Sequence, residues 1–179
     1  MTGHERLRLF CALKFPAETL ERLAAWQAGL AFSRGGRAVS RENLHVTLAF
    51  LGATPRERME DVARALREAA HGLGPPALAV TRYRETRSVG MLVLEDAGGR
   101  ATELAARLSS RLEASGLYRP ERRPWLPHVT VVRFRERPRL DPPLPDLGRF
   151  VPSEATVTMS VLRPTGAQYA DIESVALGG

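Results

Sequence analysis

The chain has 179 residues and a mass of 19.7 kDa, 44% of them hydrophobic and 26% charged. That is the length of one domain or of two small lobes sharing an interface, and it can bury about 70% of its unfolded surface without a disulfide or metal staple. One cysteine, Cys11, excludes an intrachain disulfide and a cysteine-built zinc site, and no apolar run reaches the roughly 18 residues of a membrane-spanning helix. The first residues carry no signal-like apolar segment before a strand-like stretch, so a soluble, cytoplasmic monomer with no membrane partner is expected. The net charge is +6, and 25 of the 26 basic residues are arginine, the exception being Lys14. An anionic partner, nucleic acid or phosphate, accounts for this, and so does a GC-rich codon usage.

In chain order, Leu7, Leu9, Cys11 and Leu13 alternate with other residues, and residues 7–15 read as a strand stopped by Pro16. Leu20, Leu23, Ala24 and Leu30 fall at helical spacing and predict a helix over 17–30, broken by Gly35-Gly36. Residues 44–51 are dense in apolar and β-branched side chains and read as a strand ended by Gly52. Thr54-Pro55 reads as an N-cap and first helical position for a helix reaching Ala70. Strands are expected over 78–83 and 89–94, then a third helix over 100–115 capped by Gly116. A short basic loop leads into the β-rich run HVTVVRF. Residues 138–152, with Pro142, Pro143 and Pro145, read as a structureless tether. Strand-like alternation returns in EATVTMSVLRP and over 172–177. Three helices interleaved with seven or eight short strands make an α+β fold more natural than a continuous parallel sheet.

Two of the four histidines share a setting. Leu44-His45-Val46-Thr47-Leu48 and Pro127-His128-Val129-Thr130-Val131 both read His-Val-Thr-aliphatic, 83 positions apart, close to half the chain. The spacing suggests an internal duplication in which each half supplies one motif. In a strand, residues i and i+2 share a face about 6.6 Å apart. Each motif therefore presents an imidazole beside a hydroxyl, with Val46, Leu48, Val129 and Val131 turned into a core. Two imidazoles at one cleft suit displacement at phosphorus: one takes a proton from the nucleophile, the other gives a proton to the leaving oxygen. Thr47 and Thr130 can donate to the phosphoryl oxygens. Pseudo-symmetry leaves the direction open, with His128 as base and His45 as acid the working assignment. Zinc would need a further ligand at close spacing, which these motifs lack, so no metal and no cofactor is expected. His4 and His71 are read as structural or neutral.

These motifs, together with RLFCALKFP, ENLHVTLAFLG, RPWLPHVTVVRF and SVLRPTGAQY, resemble the 2H phosphoesterase superfamily and within it the LigT-like RNA 2′,3′-cyclic phosphodiesterases, also called 2′-5′ RNA ligases. The resemblance runs from Arg8 to about Tyr169, although 72–119 matches only in pattern. It implies a bilobal α+β fold: two pseudo-symmetric lobes, each an antiparallel sheet with outer helices, around a basic central cleft, all within one domain over 1–179. It implies metal-free hydrolysis of a 2′,3′-cyclic phosphate, at an RNA end or on a nucleotide, to a 2′-phosphate, and in some members a reversible 2′-5′ ligation. It also implies a phosphate role for Arg133, five positions after His128. In an unbroken strand that offset aims Arg133 away from the cleft, and a bulge or the end of the strand would redirect it toward the cleft. One departure is Ser160, which stands two residues farther from the turn than the family's usual serine.

Seven arginines fall between Arg119 and Arg139 (119, 122, 123, 133, 135, 137 and 139), and this stretch is expected to contact RNA phosphates. Phe10, Tyr83, Trp125 and Tyr169 are candidates for stacking a base. Phe50, alternating with Leu48, is expected in the sheet's packing. The rival readings are a ligase using the same residues in reverse, a non-catalytic RNA-binding module, and a phosphodiesterase for small nucleotides such as 2′-5′ oligonucleotides.

Overall fold

The computed structural model describes residues 5–30 and 35–178, so His4 lies outside the described residues. In chain order the elements are β1 (Arg6–Lys14), α1 (Ala17–Ala28), β2 (Gly36–Ala38), β3 (His45–Pro55), α2 (Met59–Ala70), β4 (Ala77–Glu85), β5 (Val89–Ala97), α3 (Arg100–Ala114), β6 (His128–Phe134), β7 (Glu154–Arg163) and β8 (Gly166–Ala176). They form two four-stranded antiparallel sheets, ordered β3-β1-β7-β8 and β2-β6-β5-β4. One histidine motif opens β3 in the first sheet, and the other opens β6 in the second. These two strands come from different sheets and touch each other.

The sheets are not the two halves of the chain. The last two strands join β1 and β3, while the short β2 edges the sheet built from β4, β5 and β6. Leu9 pairs with Met159 across nearly the whole sequence. Alternation states which face of a strand is buried, not which strand lies beside it, so the half-chain division suggested by the motif spacing does not survive.

The core lies between the sheets and their helices. Leu9, Cys11 and Leu13 on β1, Val46 and Leu48 on β3, and Val157 on β7 are buried, as are Val62, Leu66 and Ala69 on α2 and Leu104, Leu108 and Leu112 on α3. α2 packs on α3 and against β7 and β8, and α3 also meets β3 and β5. Burial is the expected fate of the apolar stripes read at helical spacing. Cys11 is packed here, and burial pushes its thiol up to about 12, which leaves it unreactive at neutral pH.

Three local expectations change. Gly52 does not end its strand. At φ +69° it belongs to a bulge in which Leu9 pairs with Gly52 and Phe10 with Phe50, so the strand bends and continues to Pro55. Thr54 pairs with Leu7 and donates its hydroxyl to the Gly52 carbonyl instead of capping a helix, and α2 begins at Met59 after a 3₁₀ turn over Arg56–Arg58. Pairing with β1 outweighs the local helix-start signal.

The proline-rich segment is not a tether. The Trp26 indole donates to the Pro143 carbonyl at 2.7 Å, Leu147 and Phe150 are buried, and Phe150 bridges to Leu78. The Glu85 carboxylate accepts from the backbone N–H groups of Arg139 and Leu140, from the Tyr83 hydroxyl and from Arg137 Nε. Burial alone would raise its pKa, and these four donors together hold it below the ordinary carboxylate value.

Candidate active site

Both motif strands carry the same irregularity at the same place. In β3, Ala12 pairs with Thr47 and Cys11 with Ala49, so Leu48 is an extra residue. In β6, Met91 pairs with Thr130 and Gly90 with Val132, so Val131 is an extra residue. Each bulge stands three positions after its histidine. A bulge reverses the inward and outward phase of the residues beyond it. The six residues from each histidine accordingly share one burial sequence: partly exposed, buried, partly exposed, buried, buried, exposed. The fifth residue after each histidine, Phe50 in one strand and Arg133 in the other, is returned to the cavity face. Arg133 thus lines the cavity although straight alternation points it away, and Phe50, expected in the packing, is 47% exposed at the cavity with the Arg8 guanidinium 4.7 Å above its ring. Part of the Val131 bulge is held from outside the sheet: the buried Gln27 amide on α1 donates to the Val131 carbonyl at 2.6 Å.

His45, Thr47, His128, Thr130 and Arg133 all line one cavity of about 440 Å³, within the usual range of small-ligand sites. The two imidazoles are oriented alike. His45 Nδ1 lies 2.7 Å from the carbonyl of Asn43, and His128 Nδ1 lies 2.8 Å from the carbonyl of Leu126, in each case two residues upstream. A carbonyl only accepts, so Nδ1 carries the proton and Nε2 is left for chemistry. The Thr47 hydroxyl donates to His45 Nε2 at 3.0 Å. The Phe10 ring stacks on His45 with centroids 4.8 Å apart, and Tyr169 meets both rings edge-on. Asn43 is fixed in turn by its side-chain amide, which donates to the Ala167 carbonyl.

Of the four stacking candidates, Phe10 and Tyr169 line the cavity, while Tyr83 and Trp125 are not among its lining residues. Tyr83 is committed to Glu85. The Trp125 indole donates to the Thr47 carbonyl at 3.0 Å, so it braces the second motif's loop against the first motif's strand. An aromatic's type is legible in sequence, but the partner of its N–H or O–H is not. Of the seven arginines expected to contact RNA, Arg133 alone lines the cavity, and Arg137 is held by Glu85 at 3.1 Å. The cavity's other arginines, Arg8, Arg37 and Arg163, come from β1, β2 and the end of β7, outside the sequence's densest basic stretch. No group of histidine, cysteine and carboxylate side chains suited to a metal ion occurs among the described residues.

Burial is the largest cause that lowers the His45 pKa, from 6.5 to about 4. The Asn43 hydrogen bond opposes it, and the charges of Lys14 and Arg133 and the neighbouring His128 add to the lowering. Lys14 is the cross-strand partner of His45 and pairs with Asp171 at 3.2 Å. His45 is therefore neutral in the free protein at pH 7. The unfolded chain binds more protons than the native one between pH 6.5 and 4, so His45's contribution to stability is complete above 6.5 and is lost as the pH falls to 4. Its ceiling is about 3 kcal/mol, reduced because the ring is partly open to the cavity. Urea unfolding at pH 7 and pH 4.5 should show the wild type losing more stability on acidification than His45→Gln, which cannot titrate there. Equal losses would contradict the assignment.

The chain matches the family model described as LigT like Phosphoesterase over residues 13–88. A protein of Escherichia coli (strain K12) named RNA 2′,3′-cyclic phosphodiesterase is 29% identical over 178 residues, covering 97% of this chain and 98% of its own. A protein of the same name from Thermus thermophilus is 30% identical over 190 residues, covering 97% and 91%. Among solved structures, E. coli LigT in apo form superposes with a TM-score of 0.80 at 28% identity, covering 97% of this chain and 98% of that one. E. coli LigT complexed with 3′-AMP does so with a TM-score of 0.80 at 26% identity, covering 97% and 99%. The family model stops before the second motif, but the relatives span both motifs and both sheets. With the paired histidines and threonines at one cavity and this full-length similarity, the chain belongs to the LigT-like family of 2H phosphoesterases.

Proposed function

We propose that this chain is a metal-independent RNA 2′,3′-cyclic phosphodiesterase that hydrolyses a terminal 2′,3′-cyclic phosphate to a 2′-phosphate by two-histidine acid–base catalysis. The observation that carries this reading is that two histidines and two threonines, on strands of different sheets, line one cavity together with four arginines. The curated relatives' name and the 3′-AMP complex of a structural neighbour support an RNA-end substrate. All the groups belong to one chain, so the reaction needs no second copy.

In this mechanism the cyclic phosphate sits among Thr47, Thr130 and Arg133. A water oxygen attacks phosphorus, His128 takes the water's proton at Nε2, the P–O3′ bond breaks, and O3′ receives a proton from His45 Nε2. The phosphate stays on O2′. His45 is neutral in the free protein, and a bound phosphate anion opposes the positive charge of Lys14 and Arg133. The acid role requires that the bound anion's charge protonate His45 in the complex against the burial that is the main cause of its lowered pKa. Threonine donors and Arg133 stabilise the charge on the non-bridging oxygens, where such contacts strengthen toward the transition state.

The test is product analysis. Incubation with a nucleoside 2′,3′-cyclic phosphate, in the presence of a chelator, should yield the 2′-phosphate as the sole product by ³¹P NMR or chromatography. A 3′-phosphate product, or loss of turnover on chelation, would overturn the reading.

A further inference from the structure

Four arginines line the cavity: Arg8, Arg37, Arg133 and Arg163, all exposed. No aspartate or glutamate lines it. None of the four has a carboxylate partner among the described residues, whereas ten other described arginines do. Arg37 and Arg133 are direct cross-strand partners in the β2–β6 pair. Like charges opposite one another in a ladder are destabilising by themselves, and no acid in the cavity offsets them. Such a one-signed cluster is complete only with a bound anion.

One phosphoryl group does not use all four. Thr47, Thr130 and Arg133 lie on the two motif strands and line the cavity, and in the proposed mechanism they hold the reacting phosphate. Arg37 starts beside Arg133 but reaches away, across the cleft to the other sheet. There its guanidinium donates to the Thr165 carbonyl at 3.1 Å, at the tip of the β7–β8 hairpin, and it lies against Gly166. Arg163 stands at the base of the same tip, paired in the ladder with Gly166. One guanidinium nitrogen of Arg37 holds the hairpin, which leaves further N–H donors of its fork for an oxyanion. Arg8, on β1, stacks over Phe50 on β3, the strand that His45 opens.

We infer that the cavity holds a second anion subsite, built by Arg37 and Arg163 with Arg8 at its edge, that takes a second phosphate of the same substrate molecule: the one on the 5′ side of the nucleotide bearing the cyclic end. This deepens the phosphodiesterase reading and rests on it. It makes the preferred substrate class a 5′-phosphorylated or chain-linked cyclic end over a bare nucleoside cyclic phosphate. A terminal 5′-phosphate and an internal phosphodiester present the same oxyanions, and the experiment separates them.

The test compares kcat/KM for uridine 2′,3′-cyclic phosphate, for the same nucleotide carrying a 5′-phosphate, and for the dinucleotide UpU ending in a 2′,3′-cyclic phosphate. The wild type should prefer one or both of the last two over the first by about tenfold or more, mainly through KM. Moderate salt should shrink that preference. Arg37→Ala and Arg163→Ala should each bring the ratio toward one. Arg163 is at an exposed hairpin, so its variant reads the subsite even if Arg37→Ala disturbs β2. A preference for both longer substrates identifies a phosphate ester as sufficient, and a preference for the dinucleotide alone identifies the internal diester. Equal kcat/KM on all three substrates, or a ratio that survives both substitutions, would overturn the subsite. Absence of turnover on all three by the wild type would instead overturn the phosphodiesterase reading, and the subsite with it.

Discussion

Replacing His128 or His45 with alanine should lower kcat on a nucleoside 2′,3′-cyclic phosphate by about 10²–10⁴-fold each, the usual worth of one positioned acid or base. The two imidazoles act on the two ends of a single displacement, so removal of either leaves the other without its counterpart. The double variant should therefore fall within about tenfold of the worse single variant and not at the product of the two losses. The Nδ1 anchors on Asn43 and Leu126 make this a test of chemistry: each ring is held by a backbone carbonyl that stays in place when the ring is removed. For His45 a second variant is needed, because its ring packs on Phe10 and Tyr169. His45→Gln keeps more of that volume without the titrating group. Near-normal turnover in either His128→Ala or His45→Gln, with the fold intact by circular dichroism, would refute the mechanism.

Thr47→Val and Thr130→Val should each cost about 10²–10³-fold in kcat, roughly 3–4 kcal/mol of barrier, the range for losing one donor to a developing oxyanion. Valine keeps the β-branched shape that suits a strand and removes only the hydroxyl. The loss should appear in kcat more than in KM, because the phosphoryl oxygens draw harder on these donors as bond making and breaking proceed. A rise in KM with kcat unchanged would mean that the threonines merely hold the ground state.

Much of the site is written locally. Strand periodicity is two, so His45 with Thr47 and His128 with Thr130 are same-face pairs wherever those runs form strands, and they line one cavity as that periodicity requires. Beyond the fourth residue of each motif the local rule fails. Leu48 and Val131 are ordinary strand formers, and nothing in their side chains announces a bulge. Their extra residue is visible only against the partner strand, and it alone explains why Arg133 and Phe50 face the cavity. Tyr83 and Trp125 are credible base-stacking groups by type, yet each is taken up by a hydrogen-bond acceptor instead, Glu85 for the first and the distant Thr47 carbonyl for the second. The prolines of residues 138–152 do preclude a ladder, but Glu85 and Trp26, far away in sequence, give that segment fixed contacts.

The arginine excess shows the same division. An α+β chain, basic and nearly free of cysteine, with two histidine–threonine pairs suited to phosphate chemistry, is already specified by the order of residues, because composition and periodicity are properties of neighbours along the chain. Which arginines matter is settled only by the fold. Those at 8, 37 and 163 are scattered singly along the sequence, yet they meet Arg133 at one cavity because long-range antiparallel pairing joins β1 to β7 and β2 to β6, and the two sheets meet where β3 touches β6. Most of the densest basic run lies elsewhere. Charge acts through space, and the spacing of charges along a chain does not determine their spacing in the fold.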